Sequence, residues 1–246
     1  MVGGDVGATL IKWLIQNHRD DIELVVCSEV ELELIGLFED HKVPYIVWDA
    51  NDCTEGEVAY QIRFASIEIG FLLWWPKIIG TELLFAPKHG FINLHPSLLP
   101  FGRGKNPNFW AIKDGEPFGV SIHLVDIMID HGPVLVQKQI EVSWLDNGKS
   151  TYDKSITEIV SLFKANYVNL GEMVRSQSFK AQDFERGSYH NSKQLDDASD
   201  IGLDRHFVAR DLLNLIRART FQGRPSCFFT EGGKQYSVTI KIEDLE

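Results

Sequence analysis

The sequence predicts an α/β fold, in which a mostly parallel sheet has helices on both faces and is followed by a small C-terminal helix and β-hairpin. Short apolar runs alternate with amphipathic helical patterns through residues 1–95, and the connections between them are short. This alternation is typical of strand–helix–strand units. A glycine pair at residues 232–233 separates two strand-like runs, as expected of a hairpin turn.

The chain begins with a glycine-containing turn that leads into a helix. The apolar face of this first helical pattern is formed by Leu10, Ile11, Leu14 and Ile15. A strand normally precedes such a turn, but here at most one or two residues are available for it. We therefore expect either a very short first strand or a clipped chain start.

Strands and helices then alternate as far as residue 95. The predicted strands are 22–28, 43–49, 67–75 and 91–95, and the predicted helices are 29–41, 55–66 and 79–90. Right-handed crossovers bring the carboxyl ends of parallel strands to one edge of the sheet, where ligands bind in such folds.

The pattern changes after Gly119. Two strands, 119–125 and 133–142, flank a polar loop, and the second alternates in the manner of a half-exposed antiparallel strand. A long helix follows over 150–174, for which Ser150 or Thr151 is the expected cap. We predict a catalytic domain over 1–177, a linker with local turns over 178–205, and a helix–hairpin subdomain over 206–246.

Composition excludes some classes of function. The net charge of −11 over 246 residues argues against a protein that grips nucleic acid. Three widely spaced cysteines give neither a disulfide framework nor a thiolate metal site. No apolar run is long enough for a membrane span, and no signal peptide is evident. These observations predict a cytoplasmic protein without a membrane partner.

The richest chemistry lies at the end of the predicted strand 91–95. Alternate residues of a strand share a face, so Asn93 and His95 point the same way. An amide and an imidazole can together stabilise a developing oxyanion. The following loop, 96–107, contains three prolines, two glycines, Arg103 and Lys105. Structural roles at a strand end are the alternative for Asn93 and His95, but this stiff, cationic loop favours a functional site.

The segment INLHPSLLPFGRG (92–104) resembles the signature of the N10-formyltetrahydrofolate-dependent formyltransferases, and VDIMIDHGPVL (125–135) resembles their second motif. The resemblance covers about residues 1–175. It implies the Rossmann-like formyltransferase fold, N10-formyltetrahydrofolate as co-substrate, no metal, and the catalytic residues Asn93, His95 and Asp130. Asp126 is the alternative acid. A zinc site formed by His95, His123, Asp126 and His131 is disfavoured, because His123 lies in an apolar strand.

The resemblance also implies ligand contacts. Folate would be bound by Trp75, Lys77, Ile78 and Met128, although adjacent tryptophans are often core residues. The motif RGKNPNFWAI and the C-terminal helix and hairpin resemble the nucleotide-sugar N-formyltransferases. The candidate substrate-binding residues are then Arg103, Lys105, Asn106 and Trp110, with Arg217 and Arg219 as further cations. Trp110 could equally anchor a helix in the core.

The predicted function is N-formylation of a 3- or 4-amino-dideoxy sugar linked to a nucleotide, dTDP by resemblance, for surface polysaccharide biosynthesis. Two alternatives stay open: a formyltransferase acting on another small amine, such as glycinamide ribonucleotide, and a non-catalytic folate- or nucleotide-binding module. The near-neutral C-terminal segment argues against tRNA. The exposed hairpin predicts a homodimer.

Overall fold

A computed structural model describes residues 1–28, 32–48 and 53–245. The first residues of the predicted helix 29–41, and Asp49 of the predicted strand 43–49, lie outside the described residues. Eight α-helices are present in the described part of the chain: α1 Gly4–Asn17, α2 Leu32–Asp40, α3 Glu55–Phe64, α4 Thr81–Leu84, α5 Pro107–Asp114, α6 Gly148–Arg175, α7 Ser192–Ser199 and α8 Ala209–Arg219.

Ten strands are found among the same residues, most of them shorter than predicted. They are β1 Val25–Cys27, β2 Tyr45–Val47, β3 Gly70–Leu72, β4 Phe91–His95, β5 Arg103–Gly104, β6 Gly119–Leu124, β7 Val134–Gln139, β8 Tyr189–His190, β9 Cys227–Glu231 and β10 Lys234–Val238. The largest sheet has the order β3-β4-β6-β7, and β1-β2, β5-β8 and β9-β10 pair separately. The α/β prediction is confirmed.

The chain divides into two compact units. The first comprises Met1–Leu94, Ile122–Leu135 and Phe163–Lys180, and the second comprises His95–Ser121, Val136–Leu162 and Ala181–Glu246. None of the described helices combines the length and the hydrophobicity that a membrane span requires.

In the first unit, β1 pairs in parallel with β2, and β3 pairs in parallel with β4. The N-terminal strand is a single residue, because Val2 bridges in parallel to both Cys27 and Leu73. The predicted apolar face of α1 is buried as expected. A hydrophobic cluster that includes Val26, Leu72 and Phe91 forms the core of this unit.

In the second unit, helix α5 packs against α8, and the hairpin β9–β10 completes their apolar cluster. The cluster contains Phe109, Trp110, Ile112, Leu215, Ala218 and Cys227. The predicted hairpin is confirmed, and both of its turn residues, Gly232 and Gly233, have positive φ angles of 57° and 77°. Two such glycines form the type I′ turn that suits the twist of a hairpin.

The segment 178–205 contains more regular structure than the predicted turns. Asn191 and Gln194 form a capping box that starts helix α7. Strand β8 exists because it pairs with β5, far away in the sequence. Helix α7 has only two apolar side chains, Leu195 and Ala198, and β8 has only two residues, so the periodicity analysis missed both.

The start of helix α6 also differs from the prediction. The helix begins at Gly148, and the side-chain oxygen of Asn147 accepts the backbone N–H groups of Lys149 and Ser150 at 2.9 and 3.0 Å. Asn147 is therefore the cap, and the prediction of Ser150 or Thr151 was wrong. A cap is decided by which side-chain oxygen faces the free N–H groups, and neighbouring polar residues compete for that position.

Candidate functional site

Asn93 lies near the end of β4, with its side-chain nitrogen 3.2 Å from Nε2 of His123. His123 is buried on β6, and its Nδ1 lies 2.7 Å from the carbonyl oxygen of Leu124. A carbonyl only accepts, so Nδ1 bears a hydrogen and Nε2 of the neutral ring accepts from Asn93. This pairing fixes the orientation of the Asn93 amide and uses one of its two N–H groups.

Asp130 approaches the same imidazole from the β6–β7 loop. Its Oδ1 lies 3.7 Å from Nε2 of His123, too far for a hydrogen bond but close enough for a charge to act on the ring. Asp130 has a left-handed backbone, with a φ of 49°. The first unit therefore brings two of the three predicted catalytic side chains, Asn93 and Asp130, to one histidine.

The close approach of the backbone at position 132 explains why this loop contains a glycine. A Cβ at Gly132 would lie 1.9 Å from the carbonyl oxygen of Leu124, which is impossible without moving the loop.

The alternative acid, Asp126, is hydrogen-bonded within its own loop. Its Oδ2 lies 2.6 Å from Nδ1 of His131, and its Oδ1 accepts the backbone N–H of Met128 at 2.9 Å.

His95 is the last residue of β4 and belongs to the second unit, where its side chain is 6% exposed. Nε2 of His95 donates to the carbonyl oxygen of Gly102 at 3.0 Å. This bond fixes a hydrogen on Nε2.

Backbone pairing between strands β5 and β8 positions Arg103. Its backbone N–H donates to the carbonyl of Ser188 at 3.1 Å, and its guanidinium lies 4.8 Å from the centre of the Phe184 ring. Its Nε is buried and has no hydrogen-bond partner among the residues that the structure describes. An Arg nitrogen in this state has hydrogen-bonding capacity left for an anionic ligand.

The other predicted substrate residues differ in exposure. Lys105 is exposed, and Asn106 is the residue before helix α5, with a φ of 58°. Trp110 is only 4% exposed, and its indole N–H donates to the carbonyl of Lys105 at 3.1 Å. One ring face of Trp110 is covered by His190, with ring centres 3.8 Å apart. These contacts favour the alternative in which Trp110 anchors α5.

His190 and the two arginines of α8 complete this region of the second unit. Burial lowers the pKa of His190, which favours the neutral ring. Arg217 donates to the backbone carbonyls of Ser143 and Asp146 at 2.8 and 2.7 Å, which makes it a structural residue. Arg219 lines a small cavity that also contains Asn106 and Arg224.

The predicted folate residues lie in the first unit. Trp75 stacks on Trp48 with ring centres 5.6 Å apart, and Nζ of Lys77 lies 5.4 Å from the Trp48 ring centre. The indole Nε1 of Trp75 is buried without a hydrogen-bond partner among the described residues. Ile78 and Met128 are 79% and 54% exposed. A free buried donor beside exposed apolar side chains fits a flat, aromatic ligand that has hydrogen-bond acceptors.

Within residues 1–28, 32–48 and 53–245, no cluster of three or more His, Cys, Asp or Glu side chains is arranged to hold a metal ion. Sequence reasoning treated His123 as a structural histidine, and the structure confirms that it is buried and hydrogen-bonded. The pairing of His123 with Asn93 was missed. The available signal was a polar residue on an apolar strand directly before the second motif.

Comparison with known proteins gives matches over most of the chain. Residues 3–162 match the formyl transferase family, and residues 194–244 match the N-formyltransferase dimerization C-terminal domain. A methionyl-tRNA formyltransferase from Thermodesulfovibrio yellowstonii is 42% identical over 95 residues, which are 38% of this chain and 31% of that protein. Matches to other methionyl-tRNA formyltransferases cover only 50% to 57% of their lengths.

Two solved structures share the fold over nearly the whole chain. A sugar N-formyltransferase from Shewanella has a TM-score of 0.77 at 21% identity, covering 100% of this chain and 97% of its own. An N-formyltransferase from Helicobacter canadensis, in complex with folinic acid and dTDP-3-aminofucose, has a TM-score of 0.65 at 17% identity, covering 93% and 81%. The family match alone spans residues 3–162, and the chain therefore belongs to the formyl transferase family.

Proposed function

We propose that this protein transfers a formyl group from N10-formyltetrahydrofolate to the amine of a nucleotide-linked amino sugar, with dTDP as the preferred nucleotide. The observation that supports this most directly is the Asn93 amide, which neutral His123 orients beside Asp130. Acyl transfer to an amine needs an oriented donor where negative charge develops on the carbonyl oxygen.

The surroundings of each proposed catalytic residue support the role that we assign to it. The second N–H of Asn93, which His123 does not use, donates to the carbonyl oxygen under attack. His95, held through Nε2, presents its Nδ1 proton to the same oxygen when the ring is charged. Asp130 receives the proton that the attacking amine loses. Family resemblance is the basis for assigning these three residues to one reaction centre.

Trp75, Lys77, Ile78 and Met128 are the residues that we assign to the folate. The unpaired Nε1 of Trp75 would donate to a ring acceptor, and the exposed side chains of Ile78 and Met128 would cover the ring faces. Lys77 would neutralise a carboxylate of the ligand. When bound, N10-formyltetrahydrofolate supplies the activated formyl group.

The acceptor assignment depends on the charged loop after β4. Arg103 is fixed by backbone pairing and retains an unpaired Nε, which suits the phosphate oxygens of a nucleoside diphosphate. Lys105 adds an exposed positive charge, and Asn106 is the first choice for a sugar hydroxyl. We assign Trp110 a supporting role only, because both its N–H and one ring face are occupied.

Two further features of the proposal concern assembly and location. The match to a dimerization domain and the exposed hairpin support a homodimer. No disulfide joins Cys27, Cys53 and Cys227 within the part of the chain that the structure describes, in keeping with a reducing cytoplasm.

The test is a comparison of acceptors. The protein is incubated with N10-formyltetrahydrofolate and, separately, with dTDP-3-amino and dTDP-4-amino dideoxy sugars, their UDP counterparts, glycinamide ribonucleotide and methionyl-tRNA. Mass spectrometry is expected to find one added formyl on a dTDP-amino sugar. A higher kcat/KM for methionyl-tRNA or glycinamide ribonucleotide would overturn the acceptor assignment. Folate binding without transfer to any acceptor would identify a binding module.

A further inference from the structure

A chain of three hydrogen bonds connects His95 to a segment more than ninety residues further along the sequence. The first bond is from Nε2 of His95 to the carbonyl of Gly102, at 3.0 Å. The backbone N–H of Gly102 then donates to Oγ of Ser188 at 2.8 Å. Finally, the Ser188 hydroxyl donates its own hydrogen to Oε2 of Glu116 at 2.7 Å. All four residues lie in the second unit.

The chain of hydrogen bonds depends on Gly102. Its φ of 63° is left-handed, and a Cβ at this position would lie 2.9 Å from Cβ of Pro107. Its two backbone groups belong to adjacent peptide units, one bonded to Ser188 and the other to His95. The two peptide units share the Cα of Gly102, so a displacement of this Cα that breaks the Ser188 bond also moves the carbonyl that holds the imidazole.

The Ser188 hydroxyl has one defined orientation. Oγ must accept from Gly102, so its hydrogen is free to point only at an acceptor, and Glu116 supplies one. The backbone adds further ties, since the N–H of Ser188 donates to Pro100 and its carbonyl accepts from Arg103. Ser188 thus holds the loop after β4 from both its side chain and its backbone.

We propose that Ser188 and Glu116 are positioning residues for His95, acting through the peptide groups of Gly102 to keep the imidazole hydrogen on Nε2. This inference rests on the proposed catalytic role of His95. Without the Ser188 hydroxyl, the Gly102 N–H loses its acceptor, and the Gly102 carbonyl is held only through the backbone bond of Arg103 to Ser188. The bond at Nε2 is then weaker, so the neutral ring populates both tautomers and Nδ1 is no longer held toward the acyl oxygen.

The first measurement is kinetic. Ser188→Ala is expected to lower kcat about tenfold, while KM for both substrates stays within about twofold, because the hydrogen bond acts on His95 and not on either ligand. Ser188→Thr keeps the hydroxyl and should restore most of kcat. Glu116→Gln keeps an acceptor oxygen and should have less effect than Glu116→Ala. Ser192→Ala, an exposed serine nearby, is the matched control and should leave kcat unchanged.

The second measurement reads the tautomer directly and does not need activity. In 15N-labelled protein, the His95 ring signals, identified by their loss in His95→Gln, should show a protonated Nε2 in the wild type and a tautomer mixture in Ser188→Ala. A merely structural Ser188 would leave these signals unchanged. If the wild type transfers no formyl group, the proposed function fails, yet this spectrum still tests the positioning.

Three results would overturn the inference: an unchanged kcat in Ser188→Ala, an increased KM without a change in kcat, or an unchanged tautomer. If Ser188→Ala does not fold, Glu116→Ala and Glu116→Gln decide the question by the same two measurements. Equal effects of these two variants would also count against it.

Discussion

At the scale of single residues, the buried His123 determines the orientation of the Asn93 amide, for which we propose the role of oxyanion donor. Sequence alternation predicted that Asn93 and His95 share a strand face, but it could not predict what each side chain contacts. His123 is bonded at one nitrogen to Leu124 and at the other to Asn93. A buried imidazole with both nitrogens engaged cannot rotate, and the amide that depends on it is fixed as well.

Replacement of Asn93 by alanine tests the donor role. We expect kcat to fall by about 10² to 10³, the usual effect of removing one donor from an oxyanion site, with little change in either KM. Steady-state kinetics with the dTDP-amino sugar that gives product is the measurement. Asn17→Ala, at an exposed asparagine of α1, should retain full activity. A loss of less than about fivefold in Asn93→Ala would show that this amide does not stabilise the transition state.

At the scale of elements, the β6–β7 loop has the shape that its glycine permits. Asp126 and His131 pair across the loop, Asp130 adopts a left-handed backbone, and Gly132 passes against the carbonyl of Leu124. The motif in the sequence located this loop and its acid. The close approach at Gly132 became visible only when the loop was folded against β6.

Gly132→Ala should displace the loop and with it Asp130. Its Cβ would lie 1.9 Å from a backbone oxygen, so we expect kcat to fall at least about tenfold. Gly36→Ala is the matched control, because no atom lies within 4 Å of the position of its added Cβ. Kinetics and a thermal melt of both variants separate lost activity from lost folding. Wild-type kcat in Gly132→Ala would mean that the position of Asp130 is unimportant.

The first turn of α6 is a second element whose stability has an identifiable source. The carboxylate of Asp146 is 6% exposed and accepts bonds from Ser143, Ser150 and Lys154. Burial by itself would raise the pKa of Asp146, but these hydrogen bonds outweigh burial and lower it. A lowered pKa means that the folded state favours the charged carboxylate, which stabilises the fold above about pH 4 and loses this effect as pH falls further.

Asp146→Asn should reduce the free energy of unfolding by about 2 kcal/mol at pH 7, because charge-assisted hydrogen bonds are lost. Urea denaturation should show that the difference from the wild type shrinks below about pH 4, where Asp146 itself becomes protonated. Asp153→Asn removes only an exposed pair with Lys149 and should cost less than about 0.5 kcal/mol. A difference that persists unchanged at acid pH would refute the role of the charge.

At the scale of the whole molecule, the C-terminal hairpin presents a strand edge. β10 pairs with β9 on one side, and no strand borders its other side among the described residues. After a two-residue turn, Glu231 and Lys234 form a hydrogen-bonded pair, so the backbone groups of Gln235 and Ser237 point away from β9. An edge of this kind is a template for pairing with a second copy.

A proline at Ser237 should block that pairing and leave the hairpin itself intact. Light scattering at micromolar concentration should give twice the chain mass of 27.9 kDa for the wild type and a single chain mass for Ser237→Pro. Ser237→Ala should stay dimeric. A wild-type monomer would remove the dimer proposal, and a dimeric Ser237→Pro would place the interface elsewhere.

The sequence by itself determined the α/β class, the order of most elements, the hairpin and the candidate catalytic set, because these depend on local periodicity and on two contiguous motifs. Only the tertiary structure showed that His123 holds Asn93, that Ser188 and Glu116 reach His95 through Gly102, and that Trp110 is covered by His190. It also showed β8 and α7 within the segment predicted as a linker. Each of these depends on contacts between residues distant in sequence, or on polar caps, and neither leaves a periodic pattern in the chain.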